Sequence, residues 1–335
     1  MTGKKEFPYR VAIVGASSLK GKEVKSVLLD RKFPIEKLTL LESDEDLGHL
    51  SEFDGEPLVS LALSESSFEF VDLVFFAGSI HHTRSYADLA DRYGFLAVDL
   101  THASPADGRI PLFQSGSDSA GKLEPNHGRV MSPHPAALTI SSILRSLSRR
   151  YDVQNCVINV FQPASERGSE ALEELRQQTV DLFSFHKGSR KIFGRQIAFN
   201  LLSRYGADVS EPLLNAEETI QAHLKGLLPQ GQALPTLTVI QAPIFHCHAL
   251  SVYLEADTSI EDLESCLESD DITVINTEDE PPSPVDVSGT DHIQVGGIKR
   301  DTSRPNGFWL WVVSDNLRLA ALNAVGAAES ILLTS

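Results

Sequence analysis

Short apolar segments alternate with helical segments through the first hundred residues, and this alternation limits the fold more than any other feature. Four short, mainly apolar runs lie at residues 9–14, 38–41, 70–76 and 95–100, and the first is rich in β-branched residues. Segments with apolar residues at helical spacing separate them. Buried strands that are separated by helices form parallel sheets with helices on both faces. The first half therefore predicts a doubly wound α/β domain.

The second half of the chain has a different pattern, with longer strand signals between long helical and irregular stretches. The strands are predicted at residues 153–161, 236–245, 248–255, 292–298 and 308–313. This pattern favours an α+β domain with a mostly antiparallel sheet. We place the first domain at residues 1–133 and the second at 134–313. We expect a last helix over 314–335, capped by Ser314 or Asp315, to return to the first domain.

Charge and cysteine content exclude several classes of partner. The 335 residues carry 29 Lys and Arg against 46 Asp and Glu, a net charge of −17. Such a charge repels phosphate backbones and anionic lipid, so we expect no nucleic-acid and no membrane partner. The three cysteines, Cys156, Cys247 and Cys266, include no CxxC pair, which fits a reducing compartment. Because no segment resembles a signal peptide or a membrane span, we expect a cytoplasmic protein.

A glycine-containing turn follows the first strand, where residues 15–21 read G-A-S-S-L-K-G. Glycine in a strand-to-helix turn lets a dinucleotide pyrophosphate approach the helix N-terminus, as in Rossmann-type domains. Ser18 stands where the fingerprint has its middle glycine, so the match is partial. On the motif alone, a tight turn without a ligand is the favoured interpretation of Gly15 and Gly21.

The chain resembles the aspartate-semialdehyde dehydrogenase family over nearly its whole length. The first turn is similar to the family's G-A-T-G-x-x-G, and residues 75–79 are similar to its S-A-G-G-S loop. Residues 195–200 (R-Q-I-A-F-N) and 311–318 (W-V-V-S-D-N-L-R) match two further family blocks. The resemblance implies a homodimer formed through the second domain's sheet and a Rossmann-type site for NAD or NADP. The residues assigned to that site are Gly15, Ser17, Ser18, Gly21, Ala77, Gly78 and Asn316.

The resemblance also implies a reaction, and the residue that would perform it is missing. In this family a cysteine attacks the aldehyde, hydride passes to NADP, and phosphate releases the acyl group, with a histidine as general base. The thiolate lies at a helix N-terminus, which lowers its pKa. The family's P-N-C-S/T motif falls on residues 133–136, which read P-H-P-A. The position of the nucleophile is therefore Pro135, which cannot form a thioester.

Some other residues of the family site have counterparts in this sequence, and others do not. His248 stands at the position of the general base, and Gln162 at that of a glutamine that assists the acyl intermediate. Glu218 stands at the position of a substrate-site glutamate. Without the nucleophile, we interpret these three residues as remnants of the family site.

The resemblance also aligns the family's cationic substrate-site and phosphate-site positions with uncharged residues of this chain. They fall on Leu214, on Gly297, and on Ser104 or Pro105. Each charged hydrogen bond contributes roughly 1.5–3 kcal/mol, so we expect the anionic family substrate to bind poorly.

The segment expected to contact the cofactor also differs from the family pattern. Where the family has an S-x-R-S segment that meets the 2′-phosphate of NADP, residues 42–46 read E-S-D-E-D. Carboxylates repel a phosphate, but one can accept the ribose hydroxyls of NAD. We therefore expect weak dinucleotide binding, with NAD favoured over NADP.

Cys247 is the one plausible substitute nucleophile, because it lies between His246 and His248. Neighbouring side chains on a strand point to opposite faces, so Cys247 should face away from any site that contains His248. A packed cysteine is the favoured interpretation. His246 and His248 would share a face and could hold a metal with His134, but a third convincing ligand is not evident, and we expect no metal.

Two functions remain open. The first is a pseudoenzyme with the family fold that acts as a binding, scaffold or regulatory protein. The second is an active semialdehyde oxidoreductase with an altered mechanism or substrate. We favour the first, because loss of a catalytic nucleophile costs several orders of magnitude in rate.

Overall fold

The computed structural model describes residues 8–43, 48, 50–104, 106, 108–116, 128–275 and 280–333. The chain forms two compact units, Met1–His134 with Ala320–Ser335, and Pro135–Leu319. In chain order the first unit contains β1 (Tyr9–Val14), α1 (Leu19–Asp30), β2 (Ile35–Glu42), β3 (Leu50–Phe53), β4 (Glu56–Val59), β5 (Leu61–Ala62), β6 (Leu73–Phe76), α2 (Ile80–Tyr86), α3 (Leu89–Tyr93), β7 (Leu96–Asp99) and β8 (Arg129–Met131).

The first unit is built on a six-stranded sheet in the order β5-β2-β1-β6-β7-β8, and every pair in it is parallel. Helix α1 packs on one face through Val24, Val27 and Leu28, together with the C-terminal helical residues from Ala320 onward. Residues around α2 and α3 cover the other face. Burial on both faces explains why β1 is apolar from Val11 to Val14. The doubly wound α/β fold predicted for this half is confirmed.

The second unit contains α4 (Pro135–Ser148), β9 (Gln154–Gln162), α5 (Ser169–Phe183), α6 (Leu213–Leu227), β10 (Thr236–Gln241), β11 (His248–Glu255), α7 (Ile260–Leu267), β12 (Ile272–Val274), α8 (Pro284–Val287), β13 (Ile293–Arg300), β14 (Gly307–Ser314) and the start of α9 (Asn316–Leu332). Its sheet runs β10-β9-β11-β14-β13-β12. The two outer pairs are parallel and the three inner pairs are antiparallel. The expected α+β domain with a mostly antiparallel sheet is confirmed.

One face of this second sheet carries the core of the unit. Side chains such as Ile158, Val160, Leu250 and Val252 join a single apolar cluster with residues of α4, α5, α6 and α7. The opposite face has half-buried aromatic side chains, which alternate along the strands with the core residues. The two faces therefore differ in character: α4, α5, α6 and α7 cover the first, whereas Val287 of the short helix α8 packs on the second.

The structure corrects one predicted strand and supports one predicted cap. The strand predicted over 236–245 ends at Gln241, because Pro243 lacks a ladder donor and Cys247 has a φ of +72°. His246 and Cys247 therefore lie in a turn, and β11 begins at His248. The Asp315 carboxylate accepts the first amides of α9 at 2.9 and 3.0 Å, which confirms Asp315 as its cap. Among the described residues, no helix combines the length and apolar character needed to cross a membrane.

Candidate functional site

The carboxyl ends of the parallel strands in the first unit bring two turns together. Ser18 caps α1, since its hydroxyl oxygen accepts the Gly21 amide at 2.9 Å. The same hydroxyl donates to the Ala77 carbonyl oxygen at 2.9 Å. Ser18 has a φ of −62°, so this position does not need glycine. The serine that departs from the glycine fingerprint thus joins the turn after β1 to the turn after β6.

The glycines of these turns are required by backbone packing. Gly15 has a φ of +78°, and a Cβ added there would lie 2.3 Å from the Cα of Gly78. A Cβ on Gly21 would lie 2.2 Å from the Gly15 carbonyl oxygen. No side chain fits at such distances without a backbone shift. Close approach of the two turns accounts for both glycines before any cofactor is considered.

A buried carboxylate lies beside the same turn. Glu42 ends β2, is 4% exposed, and accepts a hydrogen bond from the Ser17 amide. Its negative charge therefore lies at the edge where a Rossmann-type domain holds the adenosine ribose. The other predicted carboxylates, residues 44–46, lie outside the described residues.

The second unit has a row of buried polar side chains across four neighbouring strands. Gln241 pairs with Gln162 between β10 and β9, and His248 pairs with Ser314 between β11 and β14. Ala249 pairs with Phe161, so the next step of the antiparallel register puts His248 opposite Gln162. All four polar side chains are at most 2% exposed. We call them the polar row, Gln241–Gln162–His248–Ser314.

Helix α4 begins against the end of the polar row. The Thr139 hydroxyl lies 2.8 Å from the Ser314 hydroxyl oxygen and donates to the Pro135 carbonyl oxygen at 3.1 Å. Pro135 is the first residue of α4, where the fixed φ of proline suits the helix. The residue that the resemblance predicts at the position of the family nucleophile thus begins a helix and carries no thiol.

A buried carboxylate lies next to the histidine of the row. The Glu166 Oε2 atom is 3.9 Å from His248 Nε2 and accepts a hydrogen bond from Asn316 Nδ2 at 3.0 Å. Asn316 Oδ1 accepts from the Ser165 hydroxyl and from the Cys247 amide, both at 3.1 Å. Asn316 thus holds Glu166 within the second unit, and its assignment to the cofactor site stays a prediction.

Cys247 lies on the face of the sheet opposite to the polar row. It is fully buried in an apolar cluster with Ala249, Val287 and Val313. Burial raises the pKa of the Cys247 thiol to about 12, and the nearby Asp315 charge adds to this effect. The expectation that Cys247 and His248 face opposite ways is confirmed. The reason given for it is wrong, because the two residues do not share a strand.

The turn also corrects the interpretation of His246 and His248. The proposed common face required both side chains to lie on one strand, but His246 precedes β11. Strand alternation therefore gives no reason to place the His246 and His248 side chains on the same face.

The positions predicted to lack cationic side chains are distributed over separate elements. Leu214 is exposed on α6, as is the predicted substrate-site residue Glu218, and Gly297 lies in β13 with a φ of +55°. Ser104 is described, whereas residue 105 lies outside the described residues.

Arg167 is a cationic side chain that the sequence did not predict in the site, and it already has two partners. Arg167 donates to the Glu211 carboxylate at 3.1 Å and stacks over the Tyr205 ring at 5.2 Å.

Two residues of this network, Tyr205 and the row member Gln241, were missed by sequence reasoning. Tyr205 donates to Gln241 Oε1 at 2.6 Å, and both side chains are buried. Neither lies in a motif with known spacing, so no local signal could have found them. Glu166 had a signal, because it falls in the segment 165–168 where the family has the small residues S-G-A-G.

The comparisons with known proteins agree with this geometry. Residues 10–115 match the family model of the semialdehyde dehydrogenase NAD binding domain, and residues 144–319 match that of the semialdehyde dehydrogenase dimerisation domain. The chain is 30% identical to the aspartate-semialdehyde dehydrogenase of Bacillus subtilis, with 96% of each chain covered. It is 31% identical to a USG-1 protein homolog of Pseudomonas aeruginosa, over 97% of this chain and 98% of that one.

Solved structures of aspartate-semialdehyde dehydrogenases also resemble this chain over nearly its whole length. A probable aspartate-semialdehyde dehydrogenase from Pseudomonas aeruginosa superimposes with a TM-score of 0.89 at 30% identity, covering 98% of this chain and 99% of that chain. Aspartate semialdehyde dehydrogenase II from Vibrio cholerae gives a TM-score of 0.85 at 26% identity, covering 96% and 97%. The chain belongs to the aspartate-semialdehyde dehydrogenase family.

Proposed function

We propose that this family member has lost the family reaction and acts as a binding, scaffold or regulatory protein. The observation that supports this most strongly is Pro135 as the first residue of α4. A proline side chain has neither a nucleophile nor an ionisable group, so it cannot form the acyl thioester on which the reaction depends.

None of the three cysteines is suited to replace the missing nucleophile. Burial raises the pKa values of Cys156 and Cys247 to about 12, so neither is a thiolate at neutral pH. Cys266 donates a hydrogen bond to the Ser146 carbonyl oxygen at 3.1 Å, and burial raises its pKa as well.

The second candidate function is an oxidoreductase with an altered mechanism or substrate. The retention of His248 and Gln162 in one buried row supports it. The two candidates differ in a simple assay. Loss of function predicts no hydride transfer from aspartate semialdehyde to NAD or NADP. The alternative predicts NAD-dependent turnover that disappears in His248→Ala.

The cofactor site is proposed to favour NAD over NADP, with Gly15, Ser17, Ser18, Gly21, Ala77 and Gly78 near the pyrophosphate. The buried Glu42 carboxylate supports this preference, because it would repel a 2′-phosphate. We expect calorimetric titration to give at least about tenfold tighter binding of NAD than of NADP. Glu42→Gln should reduce this difference, whereas Glu36→Gln, an exposed charge on the same strand, should not. Tighter binding of NADP by the unaltered protein would contradict the assignment.

A homodimer is proposed through the aromatic face of the second sheet. Phe161 lies 6.0 Å from Trp311 and Tyr253 lies 5.2 Å from Trp309 between ring centroids, all half-buried on that face. Half-buried aromatic side chains are typical of interface cores. The match to a dimerisation domain model over residues 144–319 also supports association.

The test of the homodimer introduces a charge at the centre of that face. Light scattering should give twice the 36.6 kDa chain mass for the unaltered protein. Ser251→Arg on β11 should give a monomer, because an arginine there would be buried against a second copy. Ser269→Arg, in an exposed turn, should stay dimeric. A monomeric parent protein would contradict the proposal.

The remaining assignments follow from composition and resemblance. The acidic charge and the free cysteines support a cytoplasmic location without nucleic-acid or membrane partners. The domain limits at 1–133, 134–313 and 314–335 and the inherited role of Glu218 stay predictions.

A further inference from the structure

One segment of the second unit combines exposed phenylalanines with a local excess of positive charge. We call residues 183–204 the basic aromatic segment. It contains five Lys and Arg and no Asp or Glu, in a chain whose net charge is −17. Its large exposed apolar side chains are Phe183, Phe185, Phe199 and Leu201, at 75, 98, 69 and 57% exposure. Large apolar side chains that cluster at a surface mark interaction sites.

The backbone of this segment is fastened to α5 by two buried side chains. The Glu174 carboxylate accepts three amides of residues 191–193 at 2.7 to 3.3 Å. One helical turn later, the Gln178 side chain accepts the Ile197 amide at 2.7 Å and donates to the Ser189 carbonyl oxygen at 2.6 Å. The exposed side chains therefore extend from a backbone that the core of the unit holds in one arrangement.

Two of the exposed phenylalanines have a left-handed backbone. Phe185 has a φ of +58° and Phe199 has a φ of +56°. This conformation carries a steric cost for a bulky residue, which glycine or asparagine would avoid. Phe185 is almost fully exposed, so burial in the chain does not offset that cost. The Phe183 and Phe199 rings meet edge to face, with centroids 5.9 Å apart. Strained, exposed aromatic side chains of this kind are typical of positions that contact a ligand or partner.

The cations of the basic aromatic segment are available to a partner. All five are exposed, namely Lys187, Arg190, Lys191, Arg195 and Arg204. Within the described ranges of the chain, none of these five side chains forms an ion pair. By contrast, Arg167, Arg176 and Arg318 of the same unit each pair with a carboxylate.

Charge complementarity selects an acidic partner. A two-fold contact between copies through this segment would set five cations against five, because such a contact pairs a surface with itself. The net charge of −17 opposes a nucleic acid, although basic and aromatic residues together also suit single strands. Phe193 and Ile197 join the core cluster on the helical side of the sheet. The homodimer proposed through the aromatic face therefore leaves the segment uncovered.

We infer that the basic aromatic segment is a docking surface for an acidic protein segment that carries apolar side chains. The partner's carboxylates pair with cations such as Arg190 and Lys191, and its apolar side chains cover Phe183, Phe185 and Phe199. This inference rests on the proposed binding role of the protein, to which it assigns a class of partner.

The probe is a fluorescently labelled synthetic peptide of sequence E-D-L-F-E-D-L-F-E-D, titrated with the full-length protein and followed by fluorescence anisotropy. We expect saturable binding with a dissociation constant on the order of 10 μM. Raising the salt concentration to about 0.5 M should weaken binding at least about fivefold, because salt screens exposed charges. The peptides K-K-L-F-K-K-L-F-K-K and E-D-S-S-E-D-S-S-E-D, which lack the charge or the apolar side chains, should not bind.

The variants separate docking from folding. Phe185→Asn should weaken peptide binding at least about tenfold without lowering the urea midpoint of unfolding, because asparagine tolerates the left-handed backbone. The double variant Arg190→Glu with Lys191→Glu should also weaken binding at least about tenfold, since attraction becomes repulsion. Phe70→Asn and Lys37→Glu alter exposed residues of the same types in the first unit and should leave binding unchanged.

Four outcomes would overturn the inference. They are no binding of the acidic apolar peptide, binding that Phe185→Asn leaves unchanged, tighter binding of a single-stranded RNA oligonucleotide, and a lower mass of Phe185→Asn than of the parent protein in light scattering. The last result would mean that a second copy covers the segment.

The peptide titration does not depend on catalysis, so its failure is distinguishable from failure of the proposed function. A silent dehydrogenase assay without peptide binding rejects this inference alone. Turnover of aspartate semialdehyde rejects the proposed loss of the family reaction whatever the peptide does.

Discussion

Replacing Gly15 with alanine is expected to lower the free energy of unfolding by roughly 3–5 kcal/mol. The new Cβ would lie 2.3 Å from the Cα of Gly78, and the residue would keep a φ of +78°. Backbone atoms have no rotamer by which to move away, so β1 and β6 or their turns must shift. Urea denaturation, followed by circular dichroism, measures the effect.

A matched control separates the positive φ from the close approach. Gly94 has a φ of +77° at the end of α3, but a Cβ there would meet no atom within 4 Å. Gly94→Ala should therefore cost only about 1–2 kcal/mol. If Gly15→Ala is no more destabilising than Gly94→Ala, the glycine is not required by packing. A loss confined to dinucleotide binding would then favour the cofactor explanation of Gly15.

Replacing Glu174 with alanine is expected to cost roughly 3–5 kcal/mol of unfolding free energy. This side chain on α5 is 5% exposed and accepts amides of a long irregular segment. The Lys191, Ile192 and Phe193 amides donate to it at 2.7, 3.0 and 3.3 Å, and the Ser189 hydroxyl donates at 3.1 Å. Without the carboxylate, these donors lose their acceptor.

Hydrogen exchange locates the effect of Glu174→Ala. The amides of Lys191 and Ile192 should exchange faster in the variant, while those of β9 and β11 should change less. Glu174→Gln keeps one carbonyl acceptor and should have an intermediate effect. Glu173→Ala removes a neighbouring exposed acid and should change little. Unaltered exchange at residues 189–193 in Glu174→Ala would contradict the role of this carboxylate.

The layers of both units were predictable from the sequence because hydrophobic pattern encodes them. The apolar run Val11 to Val14 in β1 and the one-sided burial of α1 are local signals, and the structure contains both. The short strands β8 and β12 were not predictable, because three residues carry too little pattern and their pairing depends on distant strands.

The candidate site was only partly predictable, because its geometry is a tertiary property. His248, Gln162 and Pro135 were found through family motifs. Motifs did not reveal the buried row, which depends on strand register, or the hydrogen bonds that orient Gln162. The turn at Cys247 overrode the strand pattern of its neighbours through a positive φ. Sequence motifs therefore identified single residues of the candidate site, and packing determined their arrangement.

The proposed loss of the family reaction is tested most directly by one spectrophotometric measurement. The purified, folded chain is mixed with aspartate semialdehyde, phosphate and either NAD or NADP, and the absorbance of the reduced nicotinamide is followed beside an active family member. We expect a rate at least about 10⁴-fold below that of the active enzyme, because Pro135 provides no nucleophile. Phosphate-dependent formation of reduced cofactor within about 100-fold of the active enzyme would contradict the account.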